Sequence, residues 1–309
     1  MAITKIKTAN REEWLALRKQ YIGGSDAAAV VGMNPWVSPY SLWAEKSGLV
    51  PSFEGNLITE VGTYLEEFVA KKFEEETGKK VRRCNLSMIN DRYPWAIANV
   101  DRLIVGERAG LEIKTTSSLL TKKFKNGEFP EQYYCQCVHY LAVTGLERWY
   151  LAVLVGNREL KIFCIERDED EIAALMEAER EFDGRIKENR PPTVDGAEAT
   201  GKALGDIFSE TVRETVSLTA HEGTLEEYIR LTVELEKLKR ARDEIANGIK
   251  CVLGNSTDGE SVMFKCSWRP QVRTTYDVKA ILKDFPGIDG SKYAKTSETR
   301  VFKVTKLTN

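Results

Sequence analysis

Residues 98–116, ANVDRLIVGERAGLEIKTT, constrain this chain more than any other stretch. Two apolar, strand-like runs flank a short turn bounded by Gly106 and Gly110, which predicts a β-hairpin. Val100, Ile104, Leu111 and Ile113 read as core, yet Asp101, Glu112 and Lys114 interrupt the same runs. A half-buried charge is costly unless it is paired or binds a cation. Residues two apart on a strand share a face, so Glu112 and Lys114 point one way while Ile113 points into the core. Across the hairpin, Asp101 reaches the side of Glu112. Two carboxylates converging on one point suit a hard cation such as Mg²⁺, with Mn²⁺ as a substitute, completed by waters and phosphate oxygens. The carbonyl of Ile113 offers a further ligand. Lys114 beside them is placed to hold an attacking water or to stabilise charge on phosphorus.

The surrounding pattern predicts an α/β fold. Helices are expected over 11–20, from Ser25 as a cap, over 39–48 and over 58–77, where Val61, Leu65, Phe68, Val69 and Phe73 form one stripe ended by Gly78. Strands are expected over 81–88, 95–105 and 111–115. Residues 130–144 read as a helix, 149–155 and 159–165 as a second hairpin, and 168–188 as a long charged helix. These place a core domain at 1–194. Weak periodicity over 195–224 reads as a linker. Beyond it, 225–309 reads as a long helix and a small β element with strands at 260–270 and 299–307. Tyr228, Leu231, Leu235, Leu238, Ile245, Ile249 and Val252 fall at heptad spacing, interrupted by Arg242. Such a stripe serves either a coiled-coil seam or docking within the chain, and docking is the expectation here.

Composition excludes other classes. A hydrophobic fraction of 42% supports a real core, and a net charge of -2 gives a nucleic-acid binder no help except locally. No apolar run is long enough to span a bilayer, and the first residues lack a signal peptide's apolar segment. Six scattered cysteines and only His139 and His221 argue against a disulfide framework or a Cys/His zinc site. A cytoplasmic protein without membrane partners is expected.

Written as a pattern, the hairpin is Asp, ten intervening residues, then Glu-Ile-Lys. It resembles the motif of the PD-(D/E)xK nuclease superfamily, with Val100 where proline is usual. Glu66, at the border of the apolar stripe in Gly62-x-x-x-Glu66, is positioned to add a third carboxylate. Gln136 and Tyr140 share one helical face and look like the QxxxY motif of RecB-type nucleases. The run WLALRKQYIGGSDAAAVVGMNPWVSPYSLWAEKSG resembles the start of the YqaJ-like viral recombinase family, and the likeness extends to about residue 190.

That resemblance implies a restriction-endonuclease-like core, a central mixed sheet flanked by helices, with a C-terminal helical and β appendage. It implies a Mg²⁺-dependent exonuclease degrading double-stranded DNA ends 5′→3′ to leave 3′ overhangs for recombination. Asp101, Glu112, Glu66 and the Ile113 carbonyl would hold metal, Lys114 would position water, and Gln136 and Tyr140 would support the site. Arg18 and Ser25 match residues that hold the terminal 5′-phosphate, whereas Asn99 stands where a phosphate-binding serine is found in a relative. A single-strand annealing protein as partner and a ring of three subunits are also implied. An endonuclease on the same core, or a silent DNA-binding protein, are the alternatives.

Overall fold

Cap residues and periodic apolar runs set the element order in the computed structural model, which describes residues 2–124, 127–285, 287–295 and 302–305. A strand β1 (Ile3–Ile6) precedes helix α1 (Arg11–Lys19), the short strand β2 (Ile22–Gly23), and helices α2 (Gly24–Val30), α3 (Pro39–Lys46) and α4 (Leu57–Thr77). Strands β3 (Val81–Arg83), β4 (Ser87–Asn90), β5 (Tyr93–Asn99), β6 (Arg102–Ile104) and β7 (Ala109–Thr116) follow. A 3-10 helix at Ser118–Phe124 leads to α5 (Glu131–Thr144), β8 (Arg148–Val155), β9 (Glu159–Glu166), α6 (Glu169–Lys187) and α7 (Glu198–Ile207). Asn10, Ser38, Asn56 and Asp168 cap α1, α3, α4 and α6 with side-chain oxygens, each worth about 1 kcal/mol. Gly78 and Gly145 end α4 and α5 in the left-handed conformation that glycine adopts without strain. Ser25 is not the cap of α2. Gly23 holds that position, and its N–H donates to Asp26 Oδ2 at 3.0 Å.

The strands form a five-stranded sheet in the order β3-β6-β7-β8-β9 and a four-stranded sheet in the order β1-β4-β5-β2. Pairing is antiparallel except at β7–β8 and β2–β5, and α5 makes the crossover between the parallel β7 and β8. The mixed α/β architecture is the one expected. Two of the expected strands are broken, however. Residues 81–88 divide into β3 and β4, one in each sheet, and 95–105 break after Asn99. The chain leaves one sheet for the other at Val100 and Asp101, so the hairpin is confined to the short pairing of β6 with β7. The turn also closes earlier than Gly110, which lies within β7 against Trp149.

Along β8, Trp149, Leu151 and Val153 join one buried cluster while Tyr150 and Ala152 join another. Strand alternation therefore gives the sheet two covered faces. On the second face α4 packs Val69, Ala70 and Phe73 against Leu111 and Ile113. On the first lies α5, buried from Cys135 to Thr144, with its buried Gln136, His139 and Thr144 each hydrogen-bonded. Truncating Phe73 to alanine would cost about 3–5 kcal/mol.

Two compact units divide at Thr211 and Val212. The stretch 195–224, expected as a linker, contains α7 instead. Its Thr200 and Ala203 are buried, and the hydroxyls of Thr200 and Ser38 lie 2.7 Å apart. In the second unit α8 (Glu222–Leu253) carries the heptad stripe and buries none of its residues. The strands β10 (Asp258–Glu260) and β11 (Lys265–Ser267) pair as a hairpin, followed by α9 (Val278–Asp284). Of the strand expected over 299–307, only 302–305 are described, and these are not strand; the remainder lies outside the described residues. No helix among the described residues is long and apolar enough to cross a membrane.

Candidate active site

The break between β5 and β6 is what positions Asp101. Free of strand pairing, its carboxylate turns toward β7, where Oδ2 accepts the Ile113 N–H at 2.8 Å. On the face of β7 opposite the Ile113 side chain, Lys114 Nζ lies 2.5 Å from Glu112 Oε1. Gln136 on α5 donates from Nε2 to the same Oε1 at 2.6 Å. Tyr140, one turn along α5, lies with its hydroxyl 2.9 Å from Gln136 Nε2 and donates to the Asn99 carbonyl at 2.9 Å. The hairpin and the crossover helix are thereby joined through Glu112.

Electrostatics follow from that crowding. Burial, then the neighbouring Glu112 carboxylate, push the Asp101 carboxyl well above its usual range. Burial opposes the Lys114 ammonium, but Glu112 and Asp101 outweigh it and raise the lysine's pKa. Burial also drives the Tyr140 phenol upward, which keeps its proton in place as a donor. Glu112 is only 2% exposed, and its Oε2 is buried with no hydrogen-bond partner. An orphaned carboxylate oxygen beside a second carboxylate is the donor set a hard divalent cation takes. Asp101 and Glu112 thus fit such an ion.

Arg18 and Ser25 meet at the other wall. Arg18 Nη2 donates to Ser25 Oγ at 2.6 Å, and its guanidinium lies 5.3 Å from the Trp14 ring centroid. Arg18, Ser25, Asp101, Glu112, Gln136 and Tyr140 all line one cavity of about 150 Å³, together with Trp14 and Asn99. Glu66 is not gathered with them. Arg102, itself 4% exposed, binds its carboxylate, and among the described residues no three His, Cys, Asp or Glu side chains form a metal-holding group.

Several supporting residues escaped the sequence reading. Trp14 has a signal, its i,i+4 spacing to Arg18 on α1. It donates from Nε1 to Asn99 Oδ1 at 3.1 Å. Gly24 has a fainter one, the Gly-Gly pair: a Cβ there would lie 2.6 Å from Tyr140 Cε1. Lys46 braces the end of α1 that carries Arg18, reaching Asp26 Oδ2 at 2.7 Å and the carbonyls of Arg18 and Tyr21 at 3.1 and 2.8 Å. Nothing local in the sequence marks Lys46 or Arg102, whose ion-pair partners Asp26 and Glu66 lie 20 and 36 positions away.

Residues 13–147 match the YqaJ-like viral recombinase domain. The YqaJ protein of Bacillus subtilis (strain 168) is 35% identical over 99% of this chain and 97% of its own length. A shorter likeness, 46% identity over 46 residues, covers 15% of this chain and 12% of a protein of African swine fever virus. Among solved structures, an alkaline exonuclease from Laribacter hongkongensis is 22% identical, covering 58% of this chain and 94% of that one with a TM-score of 0.50. That last likeness is one of fold.

Proposed function

The chain belongs to the YqaJ-like viral recombinase family, and from that premise we propose that it is a Mg²⁺-dependent deoxyribonuclease acting on double-stranded DNA ends. The carrying observation is one cavity with carboxylates on one wall and the Arg18–Ser25 pair on the other. Asp101, Glu112 and the Ile113 carbonyl would hold the cation, and Glu66 would join them. When bound, the cation supplies Lewis acidity to the phosphate and acidifies a coordinated water. Lys114, anchored on Glu112, holds the attacking water and offsets charge building on phosphorus. Gln136 and Tyr140 fix Glu112 and the end of β5.

Arg18 is a fork of donors suited to a terminal phosphate. Ser25 beside it adds a hydroxyl, and Trp14 and Lys46 keep both in place. Holding a 5′-phosphate there sets a 5′→3′ polarity and leaves 3′ overhangs. The family's description as a recombinase supports recombination as the use of that product; a single-strand annealing protein as the partner that receives it and a three-subunit ring as the assembly are parts of the proposal.

Digestion of linear duplexes with 5′-phosphate or 5′-hydroxyl ends, in Mg²⁺ and then in EDTA, tests the reading. Phosphorylated ends should be degraded faster, Arg18→Ala should erase that preference, and EDTA should stop both reactions. Equal rates on both ends by the unmodified protein would refute the phosphate pocket. Cleavage of covalently closed circles would favour an endonuclease instead.

A further inference from the structure

Glu66 is a carboxylate out of place if it is to hold a cation, and the ion pairs around it explain how it is kept. Arg102 sits on β6 directly across from Arg83 on β3. Its Nη1 binds Glu66 Oε1 and donates to the Asp101 carbonyl at 2.8 Å, while Nη2 reaches Glu67 Oε2 at 3.2 Å. The same Glu67 oxygen accepts from Arg83 Nη2 at 2.7 Å. Charges therefore alternate in a chain, Arg83, Glu67, Arg102, Glu66, that ends beside Asp101. The inner arginine is 4% exposed and cannot leave, whereas Arg83 is 60% exposed and Glu67 51% exposed. Glu66, Arg83, Asp101 and Arg102 all line a second cavity of about 440 Å³, which shares Trp14, Asn99 and Asp101 with the smaller one.

We propose that this chain of ion pairs couples DNA binding to cation loading. A backbone phosphate entering the larger cavity takes the Arg83 guanidinium, Glu67 then binds Arg102 fully, and Glu66 is released toward Asp101 and Glu112. Arg102 is the positioning residue. It exchanges one carboxylate partner for another without moving its own buried position, so Glu66 changes state at little cost in unpaired charge. Without DNA the site presents two carboxylates; with DNA it presents three. The inference rests on the proposed cation site but makes its own prediction about stoichiometry.

Bound Mn²⁺ is counted by electron paramagnetic resonance, with and without a short duplex whose ends carry cleavage-resistant phosphorothioate linkages. The unmodified chain should bind one Mn²⁺ alone and two with the duplex. Arg83→Ala frees Glu67 permanently and should bind two in both conditions. Glu67→Gln leaves Arg102 to Glu66 and should bind one in both. Both positions are more than half exposed, and circular dichroism confirms the fold of each variant. A through-space charge effect would shift affinity yet preserve the increment caused by DNA, so variants that keep the wild-type increment overturn the coupling. A wild-type count indifferent to DNA does the same, while Asp101→Ala losing Mn²⁺ leaves the cation site itself standing. No Mn²⁺ binding by the unmodified chain overturns both.

Discussion

In the proposed reaction Asp101 and Glu112 would hold the cation, and crowding two carboxylates in a buried site opposes the fold. Burial and the adjacent carboxylate raise the Asp101 pKa, so its contribution to stability is present in acid and lost as pH rises through the raised value. In EDTA at neutral pH, Asp101→Asn should therefore melt above the unmodified protein while cleaving no DNA. The asparagine oxygen still accepts the Ile113 N–H. Adding Mg²⁺ should raise the wild-type melting temperature and leave the variant unmoved, since only a state that binds the ion gains from it. A variant melting at or below wild type in EDTA would argue against the clustered carboxylates. Lys114→Ala belongs to the same scale: the cleavage rate should drop by roughly 10² or more with DNA affinity little changed. These residues were legible because strand alternation alone places Glu112 and Lys114 together. The partner of Glu66 was not, because a helix surface offers many carboxylates and the sequence does not show which one Arg102 will reach across 36 positions.

At the scale of elements, the site depends on how closely α2 and α5 approach and on where β5 stops. Gly24→Ala would place a methyl 2.6 Å from the Tyr140 ring, whose hydroxyl is held by Gln136 and the Asn99 carbonyl. Overpacking of this kind costs about 1–3 kcal/mol, so the denaturant midpoint should fall and cleavage with it. An unchanged midpoint would mean the ring has room to retreat. A second pair ties α5 to α6 and β5: His139 Nδ1 lies 2.7 Å from Glu179 Oε1, and Nε2 donates to the Ile97 carbonyl at 3.0 Å. Burial works against the imidazolium, but the Glu179 carboxylate prevails and lifts the His139 pKa above its ordinary 6.5. That stability is complete below pH 6.5 and declines as pH rises through the raised value. Unfolding of His139→Gln, followed from pH 6 to 9, should lack the decline; a parallel profile would count against the charged pair. Helix periods and caps made most of this scaffold readable. The split of 95–105 was not, since Val100, Leu103 and Ile104 carry the apolar run across Asp101 and only the existence of two sheets breaks it. The strand β1 was missed for a related reason: four residues with no apolar alternation declare themselves only by pairing with β4.

At the scale of the whole molecule, every nominated site residue lies before Thr211, within the first compact unit. The boundary expected at 194 omits α7, whose Ala203, Leu204 and Ile207 join the cluster of Tyr40, Leu42, Trp43 and Phe182. A glycine- and alanine-rich stretch hides a short amphipathic helix because small residues give a weak periodic signal, and only its contact with α3 makes the stripe count. Two shortened chains distinguish the boundaries. One ending at Thr211 should unfold cooperatively near the wild-type temperature and digest linear duplex in Mg²⁺. One ending at residue 194 exposes the face that α7 covers and should lose on the order of a few kcal/mol. Equal stability of the two would return α7 to the linker. Light scattering of the same chains addresses assembly. The core is expected to make the ring contacts, so the chain ending at Thr211 should keep the oligomeric state of the full protein. If removing Val212 onward alone turns an oligomer into a monomer, the exposed stripe on α8, from Tyr228 to Val252, is the seam between subunits.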